Sequence, residues 1–166
     1  MNGRSRLLTG QTGEYLVAAE LCRRGYHATT FTRNVPAYDI IATDEEGSIA
    51  FIQVKAIRGR GWQFDMRSFA EVNVEGDRQS VGRKMAEPWP KLICVLVALK
   101  AYATDEFYVL TWRQLQGVAV AAYKQHLAKH GQARPIKAES THLAITLEQI
   151  ARYRDNWRLL GKVLVR

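Results

Sequence analysis

The chain has 166 residues, enough for one well-cored domain and too few for two ordinary ones. Its 47% hydrophobic and 24% charged content is that of a globular protein rather than a disordered tail. A net charge of +8 makes a polyanion a plausible partner, while no apolar run approaches the roughly 20 residues of a membrane-spanning helix. Residues 1–8 carry two arginines without the apolar core of a signal peptide, which places the expected address in the cytoplasm and away from membranes.

Residues 9–25 are predicted to form a helix, with Thr9 or Thr12 as its cap and Gly25 as its left-handed terminator. Val17, Ala18 and Leu21 make an apolar stripe, and Glu14 lies on the same stripe one turn earlier. An acidic residue in line with the core-facing side points inward or toward a cleft. Strands are expected at 26–33, 37–43 and 49–57, the last two joined by the polar turn Asp44-Glu45-Glu46-Gly47-Ser48. The glycine-rich segment 58–90 offers strand-like pieces at 62–66 and 70–74 and otherwise reads as loop. Residues 91–100 form a continuous apolar run suited to a central strand covered on both faces. A further strand follows at 106–111, then a helix at 112–130, a helix near 147–154, and a basic tail. Three strands with no helix between them argue against a doubly wound parallel sheet. The expected fold is α/β, a single domain over residues 1–166, with a mixed sheet of about five strands flanked by helices.

The hairpin carries the chemistry. Side chains alternate along a strand, so Asp39 shares a face with Ile41, and Gln53 and Lys55 share one with Phe51. A turn centred on Glu46 puts Asp39 opposite Gln53, because each lies seven residues from it (46 − 39 = 53 − 46). With Ile41 and Phe51 alongside, that face is expected to be largely buried. An unpaired charge there is unfavourable by several kcal/mol. Two resolutions are open: a buried Asp39–Lys55 salt bridge, or a divalent metal at Asp39 with Lys55 facing the substrate.

The pattern Pro36-x-x-Asp39 … Gln53-x-Lys55, after a helix bearing Glu14, resembles the PD-(D/E)xK (restriction-endonuclease-like) nucleases. The runs GEYLVAAELCRRGY and PAYDIIATDEEGSIAFIQVKA are similar to bacterial members with glutamine in the second triplet. Those members include intron-encoded homing endonucleases and the end-cleaving subunit of a bacterial transposase. The match spans residues 10 to 56. The resemblance implies a metal-dependent endonuclease acting on DNA, with Mg2+, or Mn2+ in its place, as cofactor. Asp39 is then the central metal ligand and Glu14 a second one. The Gln53 amide oxygen and the Val54 carbonyl are neutral ligands, and Lys55 contacts the phosphate or the attacking water. Glutamine brings oxygen without charge, which leaves two carboxylates at most. A fold-retaining subunit that binds nucleic acid or assembles without turnover is therefore the alternative, and RNA is not separated from DNA as substrate. Cutting both strands calls for two sites, hence a homodimer or larger assembly.

Other segments have two readings each. Arg58, Arg60 and Trp62 follow the lysine and could bind phosphate and stack on a base, or form an exposed turn. Gln79, Ser80, Arg83 and Lys84 could line a nucleic-acid cleft. His126 and His130, four apart on a helix, lack a third ligand and read as helix surface. Residues 152–166 carry five basic residues and one acid; this +4 tail either touches nucleic acid or packs its apolar side on the core. Cys22 and Cys94 read as small core residues, with no CxxC pair to hold zinc. Tyr108, Trp112 and Trp157 read as core or interface.

Overall fold

The computed structural model describes residues 3–31, 35–133, 137 and 139–163. Its elements in chain order are α1 (Gly3–Arg23), β1 (His27–Thr30), β2 (Ile40–Thr43), β3 (Ile49–Ile57), β4 (Gly61–Asp65), β5 (Ala70–Glu75) and β6 (Arg78–Lys84). There follow β7 (Ile93–Ala98), β8 (Glu106–Thr111), α2 (Trp112–Lys129), β9 (His142–Thr146), α3 (Leu147–Ile150) and α4 (Leu160–Val163). The end of the expected first strand and the last residues of the basic tail fall outside the described residues. No helix among the described residues is long and apolar enough to cross a membrane.

Five strands form a mixed sheet in the order β1-β2-β3-β7-β8, parallel only between β3 and β7. As expected from its unbroken apolar run, β7 is central and buried at every position. One face of the sheet packs Ile40, Ile52, Ile93 and Val95 against Val17 and Leu21 of α1, with Trp157 and Leu160 closing the layer. The other face packs Cys94, Leu96 and Leu110 against Leu115, Ala119 and Tyr123 of α2, and against Trp62 and Ile145 of the β4–β9 pair. Tyr108, Trp112 and Trp157 all lie in these cores.

Helix α1 starts well before its expected cap. Thr9 and Thr12 are interior residues whose hydroxyls donate to the Ser5 and Leu8 carbonyls one turn back. The helix end is as expected, with Gly25 at φ +85°. Cys94 is buried, but Cys22 is exposed on α1 rather than in the core. One strand, β6, lies where the sequence reads as loop, and another, β9, lies in a stretch to which the sequence assigns no element. β6 returns along β5 through Gly76-Asp77, and β9 pairs with β4.

Candidate active site

The β2–β3 register pairs Ile40 with Ile52 and Ile41 with Phe51, the alignment that the Glu46-centred turn predicts. The ladder stops there. The Asp39 N–H makes the last rung, donating to the Ile52 carbonyl at 2.8 Å. Beyond it, the β2 side of β3 has no partner strand among the described residues, and the Val54 N–H meets the Asp39 Oδ2 at 2.7 Å instead. In an extended residue N–H and C=O share an edge, so the Val54 carbonyl also faces this notch.

The segment entering Asp39 is tightly held. Ala37 has φ +78°, a left-handed conformation that an L side chain adopts at a cost of about 1–3 kcal/mol. The next residue, Tyr38, packs its ring 5.0 Å from Phe51 and 5.1 Å from Trp89, centroid to centroid. These aromatic contacts fix the backbone on one side of Asp39 and the ladder fixes it on the other.

Glu14 approaches from α1. The helix lies so close to β3 at Gly13 that an added Cβ would sit 2.5 Å from the Ala56 Cβ. That contact brings Glu14 to the notch. Burial raises its carboxyl pKa, and the nearby Asp39 charge raises it further. Burial likewise raises Asp39, opposed by the Val54 hydrogen bond and then by Lys55. Desolvation of its ammonium lowers Lys55, against the pull of Asp39. The Lys55 residue still keeps solvent contact, with its Nζ 4.7 Å from the centre of the Phe64 ring. Among the described residues, neither Glu14, Asp39 nor Lys55 enters an ion pair. The structural salt bridge that the sequence left open is not formed.

Asp39, Gln53, Val54 and Lys55 line a cleft of about 720 Å³ together with Phe64, Arg67 and Met85. The hairpin face is more open than expected: Ile41 and Phe51 are half-buried, while Gln53 and Lys55 are exposed. The ladder's early end, next to Asp39, accounts for this opening. Among the described residues no cluster of three His, Cys, Asp or Glu side chains is placed to hold a metal, so the acidic part of this site is the Glu14–Asp39 pair.

The remaining predicted site residues divide. Arg58 and Arg60 are exposed on the turn from β3 to β4. Arg83 and Lys84 are exposed on β6, with Arg83 paired to Glu71 at 2.9 Å. Trp62 is a correction. It is 0% exposed, its Nε1–H donates to the Lys55 carbonyl at 2.8 Å, and its ring packs edge-on to Tyr108. A base has no access to it; the residue instead braces the strand that carries the lysine. Gln79 is a second correction: at 2% exposure it accepts from the Tyr123 hydroxyl and donates to the Ser140 carbonyl, so its side chain is spent inside the fold. Tyr38 and Arg67 had no role assigned from the sequence. Tyr38 stands in plain view beside the motif aspartate, an aromatic at a strand entrance.

A five-stranded mixed sheet flanked by helices, with this connectivity, is a nuclease-like fold. The chain is similar to the solved structure of a bacterial homing endonuclease, I-Ssp6803I, with 12% sequence identity and a TM-score of 0.53. The alignment covers 95% of this chain and 94% of that one, so the likeness is one of whole fold. A scan against protein-family models finds no match, and a search of curated proteins finds none.

Proposed function

We propose that this chain is a metal-dependent endonuclease that hydrolyses DNA phosphodiester bonds, a QxK variant of the PD-(D/E)xK pattern. The observation that carries the reading is the Glu14–Asp39 pair: two partly buried carboxyls, the Asp39 charge acting on Glu14, at the end of a ladder, neither held in an ion pair among the described residues. Such a pair is unfavourable on its own and becomes favourable with a divalent cation between its members. The fold likeness to a protein described as a homing endonuclease supports DNA as the substrate.

The donor set fits Mg2+ or Mn2+, which take oxygen ligands. Asp39 and Glu14 would supply the charge, and Gln53 and the Val54 carbonyl the neutral oxygens. A cation held there neutralises charge on the scissile phosphate and lowers the pKa of water. Lys55, exposed and unpaired in the same cleft, orients the attacking water or takes its proton at Nζ. A lowered pKa brings that proton transfer closer to neutrality. The Val54 N–H holds one Asp39 oxygen and so leaves the other to face the cleft. Cleavage of both strands of a duplex requires two such sites, supplied by two copies of the chain.

Gln53 favours a second reading, a subunit that binds nucleic acid without turnover. Its amide is exposed and makes no hydrogen bond within the described chain, and it brings no charge to the site. One experiment separates the two. Purified protein is incubated with supercoiled plasmid, and in parallel with RNA, in Mg2+ or Mn2+. Nicking that disappears in Asp39→Ala supports the nuclease. Salt-sensitive binding without cleavage across a broad substrate panel supports the binding subunit.

A further inference from the structure

The cleft that β3 lines contains a second built feature. Residues Met66–Ser68 form a 3-10 turn after β4, and Arg67 on this turn lines the same cleft as Asp39 and Lys55. Its side chain is 70% exposed, yet it is not free to wander. Arg67 Nε donates to Asp65 Oδ1 at 3.0 Å and Oδ2 at 3.1 Å, and Nη2 donates to Oδ2 at 2.6 Å. The Arg67 backbone N–H adds a bond to Oδ1 at 3.0 Å. Behind it, the Thr141 hydroxyl of the segment leading into β9 donates to Asp65 Oδ1 at 2.7 Å. Together these bonds, those from Arg67 first, hold the Asp65 carboxyl well below the usual carboxylate range.

An exposed ion pair of this kind contributes little stability in itself. Its consequence is geometric. A guanidinium has five N–H donors in a rigid fork, and Asp65 engages those on Nε and one edge of Nη2. Both hydrogens of Nη1 and the second of Nη2 are left over, on a group that has already lost its rotational freedom. A planar donor array fixed in this way suits the tetrahedral oxygens of a phosphodiester.

We propose that Arg67 is a phosphodiester-binding site in this cleft, held in place by Asp65 and, through it, by Thr141. It takes a backbone phosphate of the nucleic-acid strand that Asp39 and Lys55 engage in the same cleft. Asp65 is a positioning residue: it contacts no substrate and sets the direction of the guanidinium. The inference rests on the nuclease reading and adds a second group that grips the substrate.

The test uses the full chain and a short DNA duplex. Binding is measured against salt in EDTA, and cleavage is measured in Mg2+. Arg67→Ala is expected to reduce the slope of log K against log salt by about 0.9, one phosphate contact. Cleavage should slow roughly 100-fold, the usual cost of one preorganised donor. Arg67→Lys should keep the salt slope and not the rate, because an ammonium restores the charge without the fork. Asp65→Asn should lower kcat with little change in binding. Melting curves for the Arg67 variants should overlay the wild type, since the side chain is exposed. If Arg67→Ala keeps the wild-type slope and rate while Asp39→Ala abolishes cleavage, the subsite is overturned and the nuclease reading stands. A wild-type chain that neither binds nor cuts DNA overturns both.

Discussion

Replacing Gly13 by alanine perturbs the one contact that sets α1 against the strand of the site. The new Cβ would lie 2.5 Å from the Ala56 Cβ and 3.5 Å from the Val54 Cγ1. Non-bonded carbons settle at about 3.5–4.0 Å, so the helix must retreat by about 1 Å here. Overpacking of this sort costs about 1–3 kcal/mol. Alanine's better helix propensity returns about 1 kcal/mol. The net loss expected in urea denaturation is therefore small, about 0–2 kcal/mol. The effect on activity should be larger, because Glu14 is the next residue and moves with the helix. A misplacement of about 1 Å can cost on the order of 100-fold in rate. The double variant Gly13→Ala/Ala56→Gly removes the clashing methyl and should recover most of the rate, giving a clear coupling in a double-mutant cycle. A Gly13→Ala protein that cuts DNA at the wild-type rate, or one that Ala56→Gly fails to rescue, refutes the idea that this close approach positions Glu14.

Two further predictions concern pH and stability, with opposite signs. Burial holds the folded pKa of Asp39 above its unfolded value, so its carboxyl favours the fold when protonated. That contribution is present below the unfolded pKa and lost as pH rises through the folded one. Asp39→Asn, measured calorimetrically in EDTA near neutral pH, should therefore raise Tm, and a clear fall in Tm would contradict the assignment. Glu106 behaves the other way. Lys100 at 2.6 Å, the Tyr108 hydroxyl at 3.0 Å and Arg154 at 3.1 Å hold it below the ordinary range. Its contribution is present above the unfolded pKa and lost as pH falls through the folded pKa. Glu106→Gln should cost roughly 1–2 kcal/mol near neutrality, and the gap should close in acid. A gap that persists at low pH would show that packing, not charge, is responsible.

Much of the site was legible because it sits on strongly patterned elements. Strand β3 has the predicted ends, 49–57, and the Ile40–Ile52 register beside Asp39 follows from the turn alone. The openness of that face was not legible, since it depends on where β2 stops, and Ala37 and Tyr38 look as strand-like as the residues after them. Trp62 misled because it follows Arg58-Gly-Arg-Gly; its burial comes from pairing with Ile145, more than eighty residues away in sequence. Strand β6, RQSVGRK, is hard to see because its most buried residue is a glutamine that answers a tyrosine hydroxyl. The Gly76-Asp77 pair was an available hairpin signal, with Gly76 at φ +62°. Strand β9 also offered one, the alternation of Leu143 and Ile145. Arg67 had one local sign, Asp65 two residues before it, but the Thr141 bond that braces that carboxylate forms only in the fold.

The central claim is that Glu14, Asp39, Gln53 and the Val54 carbonyl hold a divalent cation. A crystal soaked in Mn2+ and measured at its absorption edge tests this most directly. The account predicts an anomalous peak between Asp39 and Gln53, within coordinating distance of an Asp39 oxygen, and its loss in Asp39→Ala. A clean map at the notch under saturating Mn2+, or a peak that survives Asp39→Ala, would contradict it.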